Sequence, residues 1–570
     1  MNVVRAVTVR ISGQNIERRV WQAVAVLIGA LAILPLASVC VLALRPSGDA
    51  LTHLASTILP HAVGQTVLLM AGVAVLTLVA GAGTAWLITM YRFPGRDAFD
   101  WLMVLPLAIP TYITAYCYGE FLDFTGPLQT FIRDVFGFRS ARDYWFPQWR
   151  GVWGAMVIMA CVLYPYVYLT ARASFQQQSV CVLEVARTLG RSGTGVFFSV
   201  ALPLARPALA AGVSLALMEC VNDLGAVEFL GVKTLTATVY ATWLQRSDLA
   251  GAAQIAMLTI TFVLALIALE RSGRAAQRFH HTTNRYRALP RRTLGPGKAL
   301  AAMAACLLPL TLGFIIPMGV LLRSAITYAG DPGSAPYWQT AANSVMIAGL
   351  AAFATLVVAW MMTSAHRIAP SPLVAASGRI ASMGYAVPGT VIALGILMPL
   401  AAFDNGLDAF MRREFGVSTG LLLSGSVFAV VFACSIRFYA VAFGAIDAGY
   451  QQLSPNLDAA ARSLGAGTVR VMREVHMPLL RPALGAAALL VFVDSMKELP
   501  ATLLLRPFNF ETLATQVYVF ASLEQFEKSA LSALTIVLLG LAPVLLLHRA
   551  VSLGRAGAAR DPAPFNAMKG

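Results

Sequence analysis

Apolar stretches about twenty residues long recur from one end of this chain to the other, each long enough for a helix to cross a ~30 Å hydrocarbon core. Twelve stand out, at approximately 20–44, 62–90, 101–119, 151–171, 208–230, 251–269, 299–325, 342–365, 380–402, 420–440, 483–505 and 530–547. The third is the weakest, because Pro106 and Pro110 interrupt it. Lipid offers no partner to backbone N–H and C=O groups, so these segments are expected as helices. The fold class is an all-α polytopic membrane protein. Composition agrees: 58% of the 570 residues are hydrophobic and 12% charged, too little charge for a soluble surface of that extent.

An even number of spans puts both termini on one side. With the N-terminus inside, most of the 42 Lys and Arg fall in cytoplasmic connections, as the positive-inside rule asks. The net charge of +15 therefore reflects topology and contact with anionic lipid, and nucleic-acid binding explains it less well. The first apolar run follows Arg5, Arg10, Arg18 and Arg19. It is too long for a signal peptide and is read as an uncleaved span. The seven cysteines are scattered without a CxxC spacing, so neither a zinc site nor a disulfide framework is indicated. His280-His281 lies in a basic linker and reads as solvated surface.

The chain repeats itself. Residues 184–209 and 459–484 align at an offset of 275 without a gap, and twelve of the 26 positions are identical. The matches include Arg187/Arg462, Gly190/Gly465, Pro203/Pro478 and Pro207/Pro482. Apolar matches would mean little between membrane helices; Gly, Pro and Arg in a polar loop mean duplication. The boundaries read as a first half 1–269 (core about 62–269, loop 184–207) and a second half 299–548 (core about 342–548, loop 459–482). Between them lies a basic linker 270–298, with eight Lys/Arg against one Glu, and a tail 549–570 follows. Six crossings per half make the repeats parallel.

Each repeated loop lies between the fourth and fifth spans on the cytoplasmic side. A short Ala/Arg/Leu helical run leads to a Gly, which suits a chain reversal, and the prolines fit breaks around re-entry into the membrane. This resembles the EAA loop of ATP-binding-cassette importer permeases, the coupling helix that docks on the ATPase. Glu184, Ala186, Arg187 and Gly190 match the motif in the first half, with Pro203 beyond it. In the second half Asp458, Ala460, Arg462, Gly465 and Pro478 do so, but Ala459 stands at the motif glutamate and the acid is one place early. The bland alternative is an amphipathic loop lying on the bilayer. The resemblance implies two tandem six-helix type I permease halves with two copies of a separate ATPase. No G-x-x-x-x-G-K-[ST] occurs; the nearest run, Gly295-Pro-Gly-Lys298, lacks its first Gly and its Ser/Thr.

Three further stretches are similar to fused permeases of ferric-iron importers. They are Tyr91-Arg-Phe-Pro-Gly-Arg96, Leu105-Pro-Leu-Ala-Ile-Pro-Thr-Tyr112 running on to Glu120 and Gly126-Pro127, and Met496-Lys-Glu-Leu-Pro-Ala-Thr-Leu-Leu-Leu-Arg-Pro507. What this implies is a bacterial inner-membrane permease that is not itself an enzyme. Both termini would be cytoplasmic, and a periplasmic substrate-binding protein would deliver Fe(III). No cofactor would be bound stably: ATP is used by the partner, and the metal passes transiently. Permeases for aminoethylphosphonate, thiamine, polyamines and sulfate share the architecture. Outside its cytoplasmic segments the chain carries more acids than bases, which suits iron and polyamines equally. An ion-coupled secondary transporter stays as the alternative of another class, although the paired loops are what it fails to explain.

The candidate substrate pathway is a set of membrane carboxylates. Glu219 and Asp223 are four apart and are expected on one face of the fifth span; Asp494 and Glu498 repeat them at the same offset, and Glu228 follows. Counting from Pro207 at about 1.5 Å per residue puts Glu219 roughly 18 Å and Asp223 roughly 24 Å into the membrane. Pseudo-symmetry would bring the four acids together. Lys497 is the competing element, able to pair with Asp494 as a structural clamp.

Overall fold

Helices account for nearly every element. The computed structural model describes residues 2–45, 54–178, 185–186, 188–275, 291–328 and 335–553. Glu184, Arg187, residues 276–290 of the linker and the tail from 554 lie outside the described residues. In the first half the spans are α1 (Asn2–Ala43), α2 (Leu59–Met90), α3 (Thr111–Leu122), α4 (Val152–Gln177), α5 (Leu202–Asn222) and α6 (Leu249–Ala275). In the second they are α7 (Pro296–Leu310, continued through a π turn to Thr327 as one span), α8 (Ala335–Ile368), α9 (Gly389–Phe415), α10 (Val427–Gln451), α12 (Met477–Met496) and α13 (Ala530–Leu553). The short helix α11 (Pro455–Ser463) stands between α10 and α12.

Among the described residues eleven helices are long and apolar enough to cross a membrane. A possible twelfth crossing is a broken pair, Arg96–Ala108 and Thr111–Phe136, bent by 92°. The bend has a local cause. A residue before proline is pushed out of the α region, and Ile109 before Pro110 is extended at φ −98°, ψ 117°. Val387 before Pro388 takes nearly the same conformation, at φ −80°, ψ 131°, so α3 and α9 both start afresh from a proline.

The fifth spans differ from the expectation of 208–230 and 483–505. They run as continuous helices over Gly193–Asn222 and Thr468–Met496. Prolines 203, 207, 478 and 482 were expected to break the chain at re-entry, yet all four lie inside these helices. The reason is a π turn just ahead of each pair, Phe197–Ala201 and Met472–His476, at the same offset of 275. A widened turn relieves the contact between a proline ring and the preceding carbonyls that would otherwise kink the helix.

The two halves are built through one another. Ala25, Ile28, Val39 and Leu42 of α1 share a core with Ile347, Met362, Val374 and Val391 of the second half. Reciprocally, Ala299, Ala302, Cys306 and Leu310 of α7 pack among Ala82, Trp86, Tyr164 and Tyr168 of the first. Glycine permits two of these approaches. A Cβ on Gly395 would stand 2.2 Å from the Pro35 carbonyl oxygen, and one on Gly313 would stand 2.1 Å from that of Cys161. Helix α6 extends to Ala275 and α7 begins at Pro296, so both helices run into the 270–298 stretch. Its end is tied to the first half by a two-residue parallel pairing of Tyr91–Arg92 with Arg292–Thr293.

Candidate functional site: a charged cavity between the halves

Both fifth spans end where the halves meet, and a cavity of about 140 Å³ opens there. First-half Glu219, Asn222 and Asp223 line it, facing Tyr385, Arg437, Asp494, Lys497 and Glu498 of the second half. Five of the six expected pathway residues therefore meet in one place. The sixth, Glu228, lies in a neighbouring cavity with Tyr116, Arg150, Tyr518 and Glu524, where it accepts a hydrogen bond from Tyr518 at 2.7 Å.

The expected shared helix faces do not exist. α5 stops at Asn222, and Asp223 is the extended residue that caps it, at ψ 116°. α12 stops at Met496, with Lys497 as its cap. Glu219 and Asp494 are thus the last helical acids, while Asp223 and Glu498 begin the turns that follow. Depths counted along one unbroken helix from Pro207 lose their basis, since the helix starts earlier and ends before Asp223.

In those turns the repeat shows at atomic detail. The Asp223 carboxylate accepts from the Ala226 N–H at 2.8 Å and from the Thr111 hydroxyl at the start of α3. Glu498, its counterpart, accepts from the Ala501 N–H at 2.9 Å and from the backbone and hydroxyl of Thr502 at 2.9 and 2.6 Å. Ala226 and Ala501 are again 275 apart. Each acid closes a turn by occupying donors that burial would otherwise orphan.

The charges are not symmetric. Arg437 donates to Glu498 at 2.8 Å, with both side chains buried, and Lys497 pairs with Asp494 at 2.9 Å. The competing expectation for Lys497 is thus the arrangement found. Arg437 was missed in the sequence, although a lone charge inside an apolar span is itself a signal. Its counterpart by offset is Val162, so Asp223 has no such partner in its own half. Glu219 accepts from the Tyr385 hydroxyl across the interface at 2.9 Å. Among the described residues neither Glu219 nor Asp223 has a Lys or Arg at ion-pair distance. Two further polar groups on the cavity wall are buried without a partner, the Tyr112 hydroxyl and the whole Asn222 amide. No three His, Cys, Asp or Glu among the described residues stand close enough to hold a metal together; the acids are spread around the wall.

On the two repeated loops, Gly190 and Gly465 have φ of 82° and 83°, the left-handed region that other residues enter at a cost. A Cβ at either would meet nothing within 4 Å, so their role is the turn itself rather than close packing. Beside them Leu189 and Leu464 are 78% and 86% exposed. Ala186 is buried, whereas Ala460 and Arg462 are exposed. Asp458 turns inward. Its carboxylate accepts from Arg367 and from His476, both at 2.7 Å. Burial alone would raise this carboxyl, but the two contacts outweigh it and hold the group below the usual carboxylate range.

Comparison with known proteins agrees with this architecture. Residues 75–272 match the family model described as binding-protein-dependent transport system inner membrane component. The Fe(3+)-transport system permease protein FbpB 2 of Haemophilus influenzae is 26% identical over 494 residues, 85% of this chain and 89% of that protein. The sulfate transport system permease protein CysT of Salmonella typhimurium is 32% identical over 33% of this chain and 67% of its own length. The molybdenum transport system permease protein ModB of Escherichia coli is 28% identical over 35% of this chain and 90% of its own. The long similarity includes both halves and the short ones are of single-half length. This chain belongs to the binding-protein-dependent transport system inner membrane components, as a fused two-half permease of an ATP-binding-cassette importer.

Proposed function

We propose that the permease carries Fe(III) from periplasm to cytoplasm, through the cavity between its halves. One observation carries this reading. Four carboxylates face two cations there, both cations are already paired, and Glu219 and Asp223 keep no cationic partner. A cavity with that balance attracts a cation, and hard Fe(III) favours oxygen donors by the logic that sends other hard cations to carboxylates. The similarity to an Fe(3+) permease along most of the chain supports the same cargo. The listless reading of Arg437 and Lys497 as anion receptors, suggested by sulfate and molybdenum relatives, is disfavoured because each is taken up by an acid.

In this family the ATPase is a separate subunit, and a binding protein delivers the substrate. Two docking loops suit two ATPase copies. The test is radio-iron uptake at matched membrane abundance. Glu219→Gln with Asp223→Asn should lower uptake about tenfold, the equivalent of about 1.4 kcal/mol, with the ATPase still bound. Parental uptake in the double variant would remove these acids from the pathway. Uptake of sulfate or molybdate but not iron by the parent would overturn the cargo.

A further inference from the structure

The acid nearest the motif position of the second coupling loop is not offered to the ATPase. Both Asp458 oxygens are taken, and its side chain is 17% exposed. The two residues that take them come from different spans, and Tyr450 of a third span joins the network through them. Arg367 sits at the end of α8 and also donates to the Tyr450 and Leu453 carbonyls at 3.3 Å and to the Ser454 carbonyl at 3.3 Å. His476 closes the π turn that leads into α12, and its side chain is 3% exposed. Its other ring nitrogen lies 3.4 Å from the hydroxyl of Tyr450 at the end of α10, and that hydroxyl lies 3.0 Å from Ser364 Oγ of α8. One short helix, α11, is thereby fastened to the cytoplasmic-loop ends of α8, α10 and α12.

In sequence the first half keeps the arginine of this set, Arg92 at the place of Arg367, but not the other three members. At the offset of 275, Leu183 stands for Asp458, Phe175 for Tyr450 and Ala201 for His476. Phe175 instead packs in an aromatic group with Trp86 and Phe197, at centroid distances of 5.5 and 6.3 Å. A buried ion pair of that half, Arg172–Asp100 at 2.6 Å, joins α4 to the short helix Arg96–Leu102. Duplicated loops that match in their Gly and Arg therefore differ at the Asp, Tyr and His that hold the second one.

We infer that Asp458, His476, Arg367 and Tyr450 form a positioning clamp, of which the first half keeps only the arginine in its sequence, and that it makes α11 move as one body with α12, so that ATP-driven movement at the second loop is passed without slack to the cavity wall. The far end of α12 carries Asp494, with Lys497 and Glu498 just beyond, so a rigid α11–α12 unit links the ATPase side directly to the cavity wall. The π turn at Met472–His476 is where an unclamped helix would flex, and His476 pins its last residue. This inference holds for any cargo.

The decisive variants are Asp458→Asn, His476→Ala, and the triple Asp458→Leu, Tyr450→Phe, His476→Ala, which copies the first half and so uses residues that the repeat already accommodates. ATP hydrolysis is measured on the co-purified permease–ATPase complex. Uptake is measured with whichever labelled solute the parent accumulates, tried as Fe(III), sulfate, molybdate and 2-aminoethylphosphonate. Every variant should keep the ATPase bound and hydrolyse ATP, while solute moved per ATP falls about tenfold, within the range of a typical coupling free energy. Asp458→Asn and His476→Ala should be non-additive when combined, as members of one network are. His476 is buried and cannot itself touch the ATPase. An effect of Asp458→Asn with none of His476→Ala would therefore make Asp458 a docking contact and overturn the clamp. A parental transport ratio in the triple variant, or loss of the ATPase from it, would overturn the clamp as well.

Discussion

Arg437 and Glu498 show how one residue sets the character of the cavity. Both are buried, and removing one member of such a pair leaves the other charged and unsolvated, at about 3–5 kcal/mol. Arg437→Val should therefore destabilise the detergent-solubilised protein strongly, even though Val162 fills the equivalent place in the first half. Adding Glu498→Gln should recover part of the loss, because no buried charge is left unpaired, although the one amide oxygen can accept from only one of the Ala501 and Thr502 donors. Thermal unfolding of the single and double variants checks this, and equal destabilisation by both would mean that the pair is not what matters. Glu219 stands in the opposite situation, accepting a hydrogen bond from a phenol with no Lys or Arg at ion-pair distance among the described residues.

At the scale of elements, the coupling turns depend on two glycines. At φ near +80° a side chain costs about 1–2 kcal/mol, and neither position has neighbours that would fix a strained substitute in place. Gly190→Val and Gly465→Val should each lower uptake while membrane abundance stays near parental, with the double variant worse than either. Normal uptake and normal ATPase co-purification in the double variant would show that the turns are not used in coupling. The fifth spans carry a complementary lesson. Four prolines in a cytoplasmic stretch read as a break, yet a π turn repeated at the same place keeps each helix continuous. Helix continuity here is decided by backbone hydrogen bonding in the turn just upstream, which residue type does not reveal.

For the whole molecule, apolar surface facing outward and charge gathered between the halves are what a bilayer solvent requires. Multi-pass insertion in the inner membrane follows from the family and the helices; the side on which the termini lie is proposed as cytoplasmic, on the bias of Lys and Arg. Reporter fusions after Gly465 and Arg285 should read as cytoplasmic and those near Arg142 as periplasmic. A periplasmic signal at Gly465 would reverse the arrangement. The polytopic helical fold, the duplication and the two repeated loops with their glycine turns were legible in the residues alone, because hydropathy and spacing are properties of the chain read in one dimension. The cavity acids were legible as candidates, since a carboxylate in an apolar run is costly wherever the run goes. Their partners were not. Arg437 reaches Glu498 across 61 residues, and Tyr385 reaches Glu219 across 166. Likewise only packing turned Asp458 away from the surface, and only packing exchanged α1 and α7 between the halves. Which charges cancel, and so what the cavity can carry, depends on how spans distant in sequence settle against each other.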